Sequence, residues 1–376
     1  MEKIKRDSLR GASVNVLSSV AAILVGLFVG FLILLVSNAS QSLGGFWAIL
    51  SGGFAGRRDM GQVLYFATPI IMTGLSVGFS SRTGLFNIGA SGQFIVGAYT
   101  AVLIGVKCVF LPGPLHWLTA LLAAMLVGAL WGSIPGFLKA FFNVNEVIAC
   151  IMMNYVGTYL VNFLITRTIF DPLKNQSMRV ADSANLPRMG LDLIFRDGNN
   201  ISSANSGIFL AVAFAVLIYI VLEKTAFGYE LKACGFNRDA ARYAGINERR
   251  SIVSSMIIAG AMAALGGAFL YLAGSGKGIT VVDVLAPEGF NGIPVALLGL
   301  NNPLGIIFSG LLIAYLNVGG FNMQLYDYAP QVIEIIIAVI IYFSAFALLL
   351  RTFFVSLRLR KTASRANVHA NKGGES

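Results

Sequence analysis

Charge is scarce in this sequence. Asp, Glu, Lys and Arg make up 12% of its 376 residues, about half the share found in a soluble globular domain. Hydrophobic residues make up 56%, and mean hydropathy is +0.77. A water-soluble fold is therefore excluded, and lipid covers most of the surface. Histidine is nearly missing: His116 and His369 are the only two, which leaves little for acid–base catalysis. The three cysteines, Cys108, Cys150 and Cys234, lie far apart without a C-x-x-C or Cys/His cluster, so a disulfide framework or zinc site has no footing. GSGKG at 274–278 resembles a P-loop only superficially, because Tyr271 stands where that motif needs Gly and Gly278 where it needs Ser or Thr. H-E-x-x-H does not occur, and the one G-x-S-x-G match, at 74–78, falls inside an apolar span. Together these absences argue against an enzyme and against a resident metal.

What is present is apolar sequence in lengths that suit a bilayer. A crossing helix needs about 20 residues, and ten segments meet or approach that, near 17–37, 61–80, 88–106, 115–138, 145–166, 207–223, 251–273, 287–300, 303–320 and 330–350. The first follows Lys3, Lys5, Arg6 and Arg10, but its apolar run is too long for a signal peptide and no A-x-A site follows, so it reads as a retained helix. The weakest is 287–300, short and carrying Glu288, Asn291, Gly292 and Pro294, which predicts a broken or re-entrant segment. With the N-terminus inside, eighteen basic residues fall on inner segments and nine on outer ones. That bias supports an N-in, C-in chain with an even number of crossings. It also absorbs most of the net charge of +10, which in a soluble protein would have raised nucleic-acid binding.

Glycines recur one turn apart at Gly26 and Gly30, Gly74 and Gly78, and Gly128, Gly132 and Gly136. Small residues at this spacing let helix backbones approach closely in lipid, and tight packing within the chain is the simplest reading. Pro69, Pro135, Pro294 and Pro303 lie in or beside spans and are expected to kink or break them.

Two polar segments stand out. Residues 167–206, with Asp171, Asp182, Asp192 and Asp197, are long for a connection and read as an ordered external feature. Residues 225–250 read as a cytoplasmic segment. Asn237 is a natural N-cap, Asp239 sits in the first turn, and Gly245 supplies a stop, so a two-turn helix is predicted over 238–244. Flanked by Gly235 and Gly245, it suits a rigid knob that fits into another protein. Residues 351–376 form a basic tail on the same side.

At this point the residues resemble a known family. GLFNIGASGQ (84–93), GSIPGFLKAFFNVNEVIACIMMNY (132–155), TAFGYELKACGFNRDAARYAGIN (225–247) and GFNGIPVALLG (289–299) are similar to permease subunits of bacterial ABC importers of the branched-chain amino-acid, ribose and nucleoside class. The resemblance is closest to nucleoside permeases that work with a basic membrane lipoprotein. The family usually has Glu where this chain has Ser91, and Asp where it has Asn291.

The resemblance implies a single all-α domain of about ten transmembrane helices in the bacterial plasma membrane. It implies a second, related permease, an external substrate-binding lipoprotein, and an ATPase subunit that holds the ATP and magnesium, with no cofactor in this chain. Asn87, Gln93, Asn145, Asn154 and Asn291 offer uncharged donors and acceptors that suit a nucleoside or simple sugar, and with Glu146 they are the expected pathway residues. Their alternative role is to bond helices to one another. Gly235, Arg238, Asp239, Arg242 and Gly245 are the expected coupling residues. A rival reading is an ion-coupled secondary transporter working alone, with Glu146 or Glu334 as its coupling acid.

Overall fold

The computed structural model describes Ala21 and residues 24–345. The basic N-terminal head, the start of the first predicted span, the end of the last and the basic tail lie outside the described residues. The described chain is overwhelmingly helical: α1 (Leu24–Ser37), α2 (Ser42–Ser51), α3 (Arg57–Arg82), α4 (Ala90–Lys107), α5 (Gly113–Phe142), α6 (Glu146–Thr168), α7 (Leu191–Ile194), α8 (Gly207–Lys224), α9 (Ala226–Phe236), α10 (Arg238–Tyr243), α11 (Glu248–Tyr271), α12 (Pro287–Phe290), α13 (Gly292–Leu298), α14 (Pro303–Met323) and α15 (Pro330–Ala345). Among the described residues, seven helices are long and apolar enough to cross a membrane: α3, α4, α5, α6, α8, α11, and α14 with the 3₁₀ turn that follows it. The apolar α2, ten residues long and followed by a 3₁₀ turn at Gly52–Phe54, was not anticipated.

The chain divides into two compact units, one spanning Ile49–Gly319 and the other built from the flanking segments on either side of it. In the flanking unit the Tyr328 hydroxyl donates to the Asn38 carbonyl (2.9 Å) at the end of α1, and the Phe31 and Phe46 rings meet at 5.0 Å.

At the centre of the larger unit is α11, packed against α3, α4 and α5. Small residues make this possible. Gly128 and Gly132 of α5 lie so close to α11 that a Cβ on Gly132 would sit 2.4 Å from the Met256 carbonyl, and one on Gly260 2.3 Å from the Gly128 carbonyl. The four-residue glycine spacing is thus spent inside the chain. Pro69 and Pro135 do not end their helices, since α3 and α5 run through both. The actual break falls at 287–300, as the composition of that segment predicted: α12 and α13 are short helices joined at Asn291, and together with their flanks they pack against α3 and α4. Close approach again depends on glycine, with Gly289 against the Ser91 backbone and Gly292 against Thr73.

The 167–206 segment is ordered. It folds into two small hairpins, Phe170–Asp171 with Gln176–Ser177 and Arg196–Asp197 with Asn200–Ile201. Ser177 N then donates to the Ile279 carbonyl and its hydroxyl accepts from Ile279 N, while the Asn175 carbonyl accepts from Val281 N, so the chain after α11 is stitched onto this feature.

Candidate functional site

The connection from α8 to α11 is built from short-range signals. The Thr225 hydroxyl caps α9 by accepting from Gly228 N (3.1 Å), Asn237 Oδ1 caps α10 by accepting from Ala240 N (3.0 Å), and Asn247 Oδ1 caps α11 by accepting from Arg250 N (3.1 Å). Gly245 ends the turn after α10 with φ of +82°, a conformation that disfavours any side chain. The predicted helix over 238–244 is therefore present as α10, one residue shorter. Between α9 and α10 lies an open groove of about 430 Å³, floored by Ala233, Ala240 and Ala241 and bordered by Tyr229 and Phe236. Phe236 and Tyr243 are 90% and 93% exposed. Two aromatic side chains held almost wholly clear of their own protein are unusual enough to mark a contact surface.

This knob is joined rigidly to the transmembrane core. Gly235 of α9 and Gly84 of the α3–α4 connection touch through their backbones, and Gly84 has φ of +72°. A Cβ on Gly235 would lie 2.6 Å from the Arg82 carbonyl, so Gly235 is a point of attachment and not a loose hinge. Around it, Arg238 reaches the Gly84 carbonyl (3.5 Å), Thr83 and Ser255 hydroxyls meet at 2.5 Å, and Arg82 Nε donates to the Asn301 carbonyl after α13 (2.9 Å). The same connection continues into Asn87.

There the buried amides close on one another. Asn87 donates to Gln93 Oε1 (2.8 Å) and Ser76 Oγ (3.0 Å), and Gln93 donates back to Asn87 Oδ1 (3.2 Å). Asn154 of α6 accepts from Gly92 N (2.8 Å) and donates to the Ile88 carbonyl (3.0 Å). All three are essentially fully buried. Each satisfied pair avoids the cost of an orphaned polar group in a medium without water. In this conformation these amides bond helix to helix instead of offering themselves to a solute.

The remaining expected pathway residues take no part in these hydrogen bonds. Asn145 caps α6 by accepting from Val147 N (2.9 Å), and Glu146 pairs with Lys139 (3.0 Å) across the α5–α6 turn, in which Asn143 is left-handed (φ +53°). Asn291 is half-buried at the α12–α13 joint, while Ser91 donates to the Ala286 carbonyl just before α12 (2.8 Å).

The outward faces of α5 and α6 differ. On α5 the exposed side chains Leu118, Leu122, Leu126, Leu130, Ile134 and Phe137 follow the helical repeat with nothing polar among them. On α6 the exposed hydrophobic side chains are Ile148, Met152, Val156, Leu160 and Phe163 together with two tyrosines, Tyr155 and Tyr159.

Residues 60–345 match a family model described as the permease component of branched-chain amino acid transport systems. The chain belongs to this permease family. Its similarity extends to the guanosine ABC transporter permease NupP of Bacillus subtilis, 39% identical over 92% of this chain and 97% of that one. It is also similar to the nucleoside ABC transporter permease NupB of Lactococcus lactis, 31% identical over 96% and 98%, and to the glucose ABC transporter permease TsgB13 of Haloferax volcanii, 33% identical over 83% and 82%. In the first two organisms a second permease of the same named transport also matches. No solved structure matches the chain. As a permease with seven span-length helices among its described residues, it is a multi-pass protein of the cell membrane.

Of the residues singled out from the sequence, the structure brings Asn87, Gln93 and Asn154 together and collects the coupling residues on one knob. Asn145, Glu146 and Asn291 belong to neither group. Tyr155 and Tyr159 were missed, although two tyrosines four residues apart in the middle of a span are visible in the sequence.

Proposed function

We propose that this permease is one of two transmembrane subunits of an ATP-driven importer of nucleosides. In this reading the chain crosses the membrane about ten times with both ends inside, and pairs with a second, related permease so that the pathway runs between them. An external lipoprotein delivers the solute, and cytoplasmic ATPase subunits hold ATP and magnesium. The observation that carries the reading is the α9–α10 knob: a capped helix with exposed Phe236 and Tyr243, fixed through Gly235 and Gly84 to the α3–α4 connection. Such a lever transmits movement of a partner to the core, where the bundle alternates between outward-open and inward-open states. Strong similarity to the guanosine permease NupP supports the choice of solute.

Replacing Arg242 by Ala and Gly245 by Val tests the lever. In the assembled complex, uptake and transport-linked ATP hydrolysis are both expected to fall about tenfold or more, the Val imposing a side chain on a left-handed turn. Wild-type values for both would refute the assignment. The similarity to the glucose permease TsgB13 favours a second reading, a simple-sugar substrate. Competition of labelled guanosine uptake by ribose, glucose, leucine and unlabelled nucleosides separates the two, since only nucleosides compete under the first.

A further inference from the structure

Tyrosine in membrane proteins belongs at the lipid–water boundary, where the ring rests in apolar surroundings and the hydroxyl reaches water. Tyr155 and Tyr159 do not sit there. α6 has 23 residues, about 34 Å at 1.5 Å per residue, and these tyrosines lie about 14 and 20 Å from its start, at mid-depth. They are 46% and 52% exposed, and neither hydroxyl bonds to another described residue.

Two further polar atoms at the same level are buried without a partner: Thr158 Oγ1 on α6 and Trp131 Nε1 on α5. The Trp131 ring packs against α6 at Gly157, so both belong to one neighbourhood. A face made for hydrocarbon would not hold two tyrosine hydroxyls at the depth where polar groups are most costly, beside buried polar atoms that already lack partners. α5 displays what such a surface looks like, its exposed side chains apolar from end to end and aliphatic at mid-depth. Between Glu146 and Arg167, moreover, α6 carries no charged residue, which fits a neutral solute.

We propose that the mid-membrane face of α6 is the subsite that receives the nucleobase, Tyr155 and Tyr159 stacking on its planar ring while their hydroxyls bond its polar edge. Aromatic stacking accepts any base, and a hydroxyl that both donates and accepts suits purine and pyrimidine edges alike. Met152 and Phe163 extend the wall one turn to either side. The inference rests on the nucleoside reading above.

The test uses the assembled complex in proteoliposomes with Cys108, Cys150 and Cys234 replaced by alanine. Tyr155→Cys, Tyr159→Cys and, on the α5 face, Leu130→Cys are exposed to a membrane-impermeant methanethiosulfonate during turnover. Positions 155 and 159 are expected to react about tenfold faster than 130, and saturating guanosine is expected to slow them at least about threefold while ribose leaves them unchanged. In parallel, Tyr159→Ala should lower guanosine uptake about tenfold or more, whereas Tyr159→Phe should stay within about threefold, with complex assembly intact in both. Reactivity at 155 and 159 as slow as at 130 means lipid or a partner subunit covers the face and overturns the proposal, as does fast reaction without protection by guanosine. If the unsubstituted complex imports no guanosine, the nucleoside reading falls and the subsite with it; import by that complex alongside unprotected cysteines removes the subsite alone.

Discussion

α5 and α6 are both apolar, span-length helices, and only a minority of the residues of each is buried within the chain. By these measures they are interchangeable. Their outer faces are not: leucines on one, and two tyrosines among the apolar side chains of the other. Hydropathy decides that a segment enters the membrane, but the chemistry at mid-depth decides what it meets there. The inner faces differ as well. α5 comes closest to α11 at Gly128, Gly132 and Gly136, whereas Asn154 of α6 bonds two backbone groups at the α4 start.

Substitutions can break this contrast in order of size. Gly132→Leu places a side chain where the Met256 carbonyl already lies. It should abolish recovery of folded permease from detergent extraction, measured as the monodisperse fraction on size-exclusion chromatography. Normal recovery would mean that α5 is not held as described. Next comes Asn154→Ala, which leaves the Gly92 N–H and Ile88 carbonyl unpaired in a dry interior. Destabilisation of about 2 kcal/mol or more is expected, read as an apparent Tm several degrees lower. An unchanged Tm would show that the amide does not fasten α6. A smaller effect is expected for Glu146→Gln, which removes one charge of a half-buried pair at the α5–α6 turn but keeps a hydrogen-bonding group beside Lys139. Guanosine uptake should stay within about twofold, and a tenfold loss at intact stability would return Glu146 to the pathway. Smallest is Leu126→Ala on the outer face of α5, within about 0.5 kcal/mol and without effect on uptake.

Much of this was legible in the sequence, for physical reasons that differ by element. Span positions follow from apolar length, and the α10 cap follows from Asn237 and Gly245, since both act within a few residues. The break at Asn291 was announced by Gly292 and Pro294. Other features depend on what lies across the interface. Pro69 and Pro135 sit inside continuous helices, and nothing in the local sequence tells a tolerated proline from a breaking one. Asn87, Gln93 and Asn154 were recognised as special, yet sequence could not say that Asn87 and Gln93 would pair with each other and Asn154 with the backbone at the start of α4. Asn145 and Glu146 stood out in the KAFFNVNEVI motif for a reason that the structure makes local, a cap and an ion pair. The pathway candidates were chosen for polarity, and in this conformation Asn87, Gln93 and Asn154 are engaged in bonds within the chain. Tyrosine scores as apolar, so the mid-depth face of α6 passed unmarked.

The central claim is that this permease, with a partner permease and an ATPase, imports nucleosides driven by ATP. It is tested most directly by reconstituting the native complex in liposomes, with the external binding lipoprotein, and following labelled guanosine. Uptake that requires ATP, and disappears when this chain is reconstituted alone, is the expected result. Guanosine uptake by this chain alone, driven by an ion gradient and indifferent to ATP, would contradict it.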